Sequence, residues 1–228
     1  MPGCLQDYII LKTTVAVGLG RSKQPVEKID LKKQLAGLYN PPKTPVMVEV
    51  PQFNFIMVDG KGDPNTSEEY QNAMQVLYSL SYTLKFMAKK VLEKDYTVMV
   101  LEGLWWAENM DDFLEGNKSN WLWTAMIMQP DFITREHYEA TLSEVKKKKP
   151  NPSLGKARFE AFREGPSAQI MYIGPYSAEG PTIAALHEFI DRGGMKPRGK
   201  HHEIYLGDPR KADPAKLRTA IRQPVEKA

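Results

Sequence analysis

Glu203 and Tyr205 are the residues whose types and spacing point most directly to chemistry. They lie in His201-His202-Glu203-Ile204-Tyr205-Leu206, a stretch with the alternation of a β-strand. Ile204 and Leu206 point to one face, Glu203 and Tyr205 to the other. A carboxylate beside an aromatic ring is costly to bury without a partner. That face therefore either meets water or lines a pocket in which the acid binds a cation or acts as a general base toward water. A solvated edge-strand glutamate is the ordinary alternative.

Flat rings form the second set: Trp105, Trp106, Trp121, Trp123, Tyr172 and Tyr176, with Phe55 on an earlier strand. Their π-faces suit planar aromatic ligands and organic cations, although alternate strand residues must serve the core. A tyrosine hydroxyl, Tyr172 or Tyr205, could stabilise developing negative charge. His201 and His202 are adjacent, so strand alternation sends them to opposite faces. His137 and His187 fall on predicted helices, and no metal site is expected. Asp59-Gly60-Lys61-Gly62 lacks the phosphate-loop pattern and reads as a turn. Lys146 to Lys149 suit a helix C-terminus.

The elements that must position these residues form two copies of one plan. Val46 to Val58 reads as a strand interrupted at Pro51. Thr66 and Glu69 read as a capping box for a helix carrying Tyr70, Met74, Leu77, Ser81, Leu84, Ala88 and Val91 on one face. Strands follow at about 97–107 and 121–128, separated by a polar linker at 108–120. A linking helix at 134–149 leads to the second copy: a strand at 159–173 broken at Gly165-Pro166, a helix from Gly180-Pro181, the His201 strand and a last strand at 217–222. Ile56-Met57-Val58-Asp59-Gly60 parallels Ile170-Met171-Tyr172-Ile173-Gly174, and Leu104-Trp105-Trp106 falls where Ile204-Tyr205-Leu206 falls. The fold class is α+β, with tandem pseudo-symmetric strand–helix–strand–strand modules at about 46–130 and 157–225. A cleft between the modules would hold the ligand, with Trp105, Glu203 and Tyr205 on the side away from the helices.

The chain has 228 residues, 42% hydrophobic and 26% charged, enough for a sizeable core. A net charge of +3 does not by itself imply nucleic acid. The lone cysteine, Cys4, allows no internal disulfide. With neither a membrane-length apolar run nor a signal-peptide pattern, a cytoplasmic location, as a monomer or weak dimer, is the default expectation.

YNPPKTP (39–45), FIMVDGKGDPN (55–65), LEGLWW (101–106), MIMQPDFIT (126–134), IMYIGPY (170–176) and HHEIYLGDPRK (201–211) closely resemble the GyrI-like small-molecule-binding family. The resemblance covers about 28–225 and leaves 1–27 as a leader of unknown role. It implies the double strand–helix–strand–strand fold and no cofactor. It implies a planar or cationic aromatic ligand, met by a strand glutamate that falls on Glu203. Stand-alone members resembling this chain are hydrolases that open the cyclopropane of DNA-alkylating antibiotics of the yatakemycin type, and their catalytic glutamate also falls on Glu203. Trp105, Tyr172, Tyr176 and Tyr205 are carried over as the aromatic positions. Drug sequestration or effector sensing without turnover is the alternative, and gyrase inhibition by protein contact is a third reading.

Overall fold

The computed structural model describes residues 27–108 and 117–228. Cys4, the leader up to residue 26 and most of the polar linker lie outside them.

Strand β1 (Lys28–Ile29), the short helices α1 (Leu31–Gln34) and α2 (Ala36–Tyr39) and strand β2 (Val46–Lys61) open the described chain. Helix α3 (Glu68–Val91), β3 (Asp95–Tyr96), β4 (Leu101–Trp106), β5 (Leu122–Gln129) and α4 (Arg135–Lys148) follow. The second copy comprises β6 (Arg158–Ile173), α5 (Gly180–Arg192), β7 (Met195–Pro197), β8 (His201–Tyr205) and β9 (Arg218–Lys227). Strand–helix–strand–strand thus occurs twice, as the repeat implies.

Local chemistry sets the boundaries. Helix α3 is capped by Ser67, whose hydroxyl accepts from Tyr70 N, one residue beyond the expected cap at Thr66. Its buried stripe is Ala73, Val76, Leu77, Leu80, Ser81, Leu84 and Ala88, while Val91 is exposed at the frayed end. Strand β2 runs through Pro51. Val50 and Gln52 pair with β6 on either side of it, and proline has no N–H to give the ladder. Strand β6 likewise continues through Gly165, which takes φ 74°. Gly60 belongs to β2 rather than to a turn, because the Trp123 indole lies over it and would meet an added Cβ at 2.3 Å.

The strands form a sheet in the order β6-β2-β5-β4-β8-β9, with β7 on the outer edge of β9. β6 also pairs with β9, from Ser167↔Pro224 to Ile173↔Arg218, which closes the sheet into a barrel. Helix α3 lies against β2 and β5, and α5 against β6 and β9. Among the described residues no helix is long and apolar enough to cross a membrane.

Closure corrects one expectation. The faces away from the helices do not form an open cleft but become the inside of the barrel, where Ile204 is fully buried. Trp105, Glu203 and Tyr205 therefore occupy the outer, helix-bearing side: Tyr70 of α3 packs on Trp105 with ring centroids 5.9 Å apart. The alternation is as read, but the face it assigns to Glu203 is reversed.

Inside the barrel lies a buried ionic chain. The Tyr39 hydroxyl donates to Glu102 Oε1 at 2.7 Å, and Glu102 Oε2 lies 3.1 Å from His202 Nε2. His202 Nδ1 lies 3.0 Å from Glu164 Oε1, and Arg222 Nη1 donates to Glu164 Oε2 at 3.0 Å. Arg222 Nη2 also donates to the Leu38 carbonyl, so the network ties the N-terminal arm to the barrel. Burial alone would lower His202, but Glu164 and Glu102 outweigh it and raise the imidazole to about 9. Burial would raise Glu164, but His202 and Arg222 hold it at about 2.

The sign of the pH dependence follows. The raised His202 stabilises the fold fully below its ordinary value of 6.5, and that contribution is lost as pH rises through about 9. The depressed Glu164 contributes above 4.5, and that contribution is lost as pH falls toward 2. Glu164→Gln should cost about 3 kcal/mol, the scale for breaking a buried pair. Urea unfolding of both proteins should show the largest difference between pH 4.5 and 6.5, shrinking as His202 deprotonates. A difference constant up to pH 10 would contradict the assignment.

Candidate functional site

Strand β8 pairs with β4 so that Gly103 stands opposite Glu203. In the repeat Gly103 is also the counterpart of Glu203, so the pseudo-twofold axis relating the modules passes through this pair. A Cβ on Gly103 would meet Trp105 Nε1 at 2.7 Å, so glycine lets the indole lie across the strand toward Tyr205.

A hydrogen-bonded chain fixes the acid. Trp105 Nε1 donates to the Tyr205 hydroxyl at 3.0 Å, and that hydroxyl donates to Glu203 Oε2 at 2.8 Å. His201 Nε2 lies 3.2 Å from Glu203 Oε1. Burial first, and then the Glu203 charge, push the Tyr205 phenol well above its ordinary range, so it stays a donor. The Glu203 side chain is 15% exposed, so the acid is shielded yet reachable from solvent.

Rings surround it. Tyr70 packs on Trp105 and, edge-on at 5.0 Å, on Trp123. Trp121 meets Trp105 at 5.8 Å, and Tyr176 meets Tyr205 edge-on at 5.4 Å. Tyr176 is 36% exposed and lies in the turn before α5, at the rim.

A second acid, Glu179, was not anticipated. It sits between the Tyr176 turn and Gly180-Pro181 and is buried. Burial and then the Glu203 charge raise its carboxyl to about 8, against smaller opposing effects of Thr219 and Lys118. A carboxyl group held protonated in this way suits an acid role. Among the described residues Glu179 Oε1 and His187 Nε2 are buried polar atoms without a hydrogen-bond partner. His187, on α5, is lowered by burial. Such atoms are hydrogen-bonding capacity left open to water or to a guest.

The other expected residues divide. Trp105, Trp123, Tyr176, Glu203 and Tyr205 come together. Tyr172 is close enough to feel the Glu179 charge, but its hydroxyl donates to the Pro175 carbonyl at 2.9 Å, where it braces the turn. Trp106 and Phe55 go to the opposite face: Lys200 Nζ covers the Trp106 ring, and Phe55 meets Phe162 at 6.2 Å. His201 and His202 diverge to opposite faces, as alternation requires.

A closed double module with a ring-walled acid at its pseudo-axis is the architecture of a small-molecule-binding domain. The GyrI-like small molecule binding domain matches residues 43–226, and the chain belongs to that family. An uncharacterized conserved protein from Listeria innocua is 43% identical, with TM-score 0.81, covering 87% of this chain and 100% of its own. A protein from the same organism named as a hydrolase is 42% identical, with TM-score 0.78, covering 88% and 100%. The EcmrR C-terminal domain shares the fold alone, at 14% identity and TM-score 0.52, covering 81% and 98%. No curated protein matches the chain.

Glu203→Gln should let the Glu179 carboxyl titrate below about 8, because it removes the repelling charge. Carbon-detected NMR of labelled glutamate side chains would follow it. A Glu179 titration unchanged by the substitution would show that burial alone raises it.

Proposed function

We propose that the chain is a cofactor-free hydrolase that adds water to the cyclopropane of planar cyclopropanoid alkylators. The single observation that carries this reading is a solvent-reachable carboxylate, Glu203, held by the Tyr205 hydroxyl at 2.8 Å, with the buried acid Glu179 close enough to feel its charge. Its similarity to a Listeria innocua protein named as a hydrolase supports the reading.

The partly exposed rings of Tyr70 and Tyr176 stack the flat guest, with the buried Trp105 behind them. Glu203 accepts a proton from water as the water oxygen bonds to a cyclopropane carbon. The ring C–C bond breaks, and its electron pair passes through the conjugated ring to the carbonyl oxygen. That oxygen becomes a phenolate, which takes a proton from Glu179. Solvent then returns the Glu203 proton to Glu179, so the net change is addition of water. Tyr205 and Trp105 position the base, since the Tyr205 hydroxyl is committed to Glu203. This gives the charge-stabilising role expected of a tyrosine to Glu179.

Mass spectrometry of a yatakemycin-type drug mixed with the protein should show the water adduct. Glu203→Gln should slow its formation at least ~100-fold, the range for losing a general base. Tyr205→Phe should cost about 10–100-fold, the range for one hydrogen bond to a charged group. Turnover untouched by Glu203→Gln would sink the mechanism.

A second reading rests on the same carboxylate ringed by π-faces, an arrangement that also suits organic cations. Saturable binding of a planar cation, lost in Glu203→Gln and with no water adduct formed from any cyclopropanoid, would identify a module for sequestration or sensing.

A further inference from the structure

A cavity opens on the face of the sheet that Glu203 does not use. It measures about 310 Å³ and is lined by Met57, Leu104 and Phe162 below and by Arg158, Arg163, Arg198 and Lys200 with Glu160 around it. The floor is apolar and the rim carries more cations than acids. The cations are not equally engaged. Arg158 is held by Asp59 at 2.8 Å and Glu160 at 2.6 Å, and Arg163 by Glu49 at 3.2 Å. Arg198 donates to the carbonyls of Val225 and Glu164. Glu164, at the back, is occupied by His202 and Arg222.

Lys200 differs. Its Nζ stands 3.3 Å from the centroid of the Trp106 ring, and among the described residues no carboxylate lies within ion-pair distance of it. Burial, and then the neighbouring Arg158, lower its ammonium against the pull of Asp59 and Glu160. A half-buried lysine resting on an indole above an apolar floor lacks an anion.

We propose that this cavity binds a small aromatic or aliphatic carboxylate, its apolar body on Met57, Leu104 and Phe162 and its acid group on Lys200. The volume matches a guest of about a dozen heavy atoms, at the small end of ligand sites. The charge preference is opposite to that expected at Glu203, and the two sites lie on opposite faces of β4, at Leu104 and Trp105.

The test uses 2-naphthoate as the probe on the full chain, with 2-naphthylmethylammonium as the charge-reversed control. Calorimetry should show saturable binding of one naphthoate with a change in tryptophan emission as Lys200 leaves Trp106. Lys200→Met should weaken it about 10-fold, the scale of one charge-assisted hydrogen bond, Lys200→Arg should restore it, and Glu203→Gln should leave it unchanged. NMR contacts from the naphthoate protons to the Met57 and Leu104 methyls in the unsubstituted protein locate the site independently of any variant. The proposal is overturned by absence of saturable binding, by equal binding to Lys200→Met, by loss in Glu203→Gln, or by a bound probe without those methyl contacts.

Discussion

Strand β8 carries ionisable side chains on both faces, and the rest of the molecule is arranged to satisfy both. Outward, Glu203 accepts from Tyr205 and lies beside His201. Inward, His202 is held between Glu102 and Glu164, with Arg222 completing the chain. A buried charge without partners is expensive. Each face therefore requires particular neighbours: Trp105 from β4 outside, and Glu102 from β4, Glu164 from β6 and Arg222 from β9 inside. β8 cannot slip by one residue without exchanging these sets, so the ionic pattern fixes the register more firmly than apolar alternation alone.

The two ionic systems differ in a way that follows from solvent. The inner one is closed and mutually neutralising, which drives His202 up and Glu164 down and keeps both charged. The outer one pairs two acids of like sign. Burial and repulsion then hold a proton on Glu179 while Glu203 keeps an opening to water. The inner system supports the strand, and the outer system is left with unspent chemical capacity. That division is what one expects when a rigid element presents polar groups toward solvent.

Much of this was legible in the sequence. The repeat gave the double module, and alternation grouped Glu203 with Tyr205 and separated His201 from His202. What alternation cannot give is the body against which a face packs. Ile204 looked like the helix-facing residue, but it is buried inside the barrel, because closure depends on β6 meeting β9 through contacts distant in sequence. The same closure hid the inner network: Glu102, Glu164 and Arg222 are far apart in sequence and come together only when their strands do. Glu179 escaped because it sits in a turn, where no periodicity singles out a residue. Its one signal was an acid directly before Gly180-Pro181 at a helix start.

The Gly103–Glu203 pair has a consequence for how such a protein can exist at all. If both halves were identical, the residue on the axis would face its own copy across the ladder. Two glutamates there would repel at a few ångströms, and two glycines would leave no acid on the axis. Joining the halves in one polypeptide lifts that restriction, so that one half can supply the acid and the other the space its indole crosses. A molecule lying on this axis then meets unlike left and right sides, and is held in one sense rather than two.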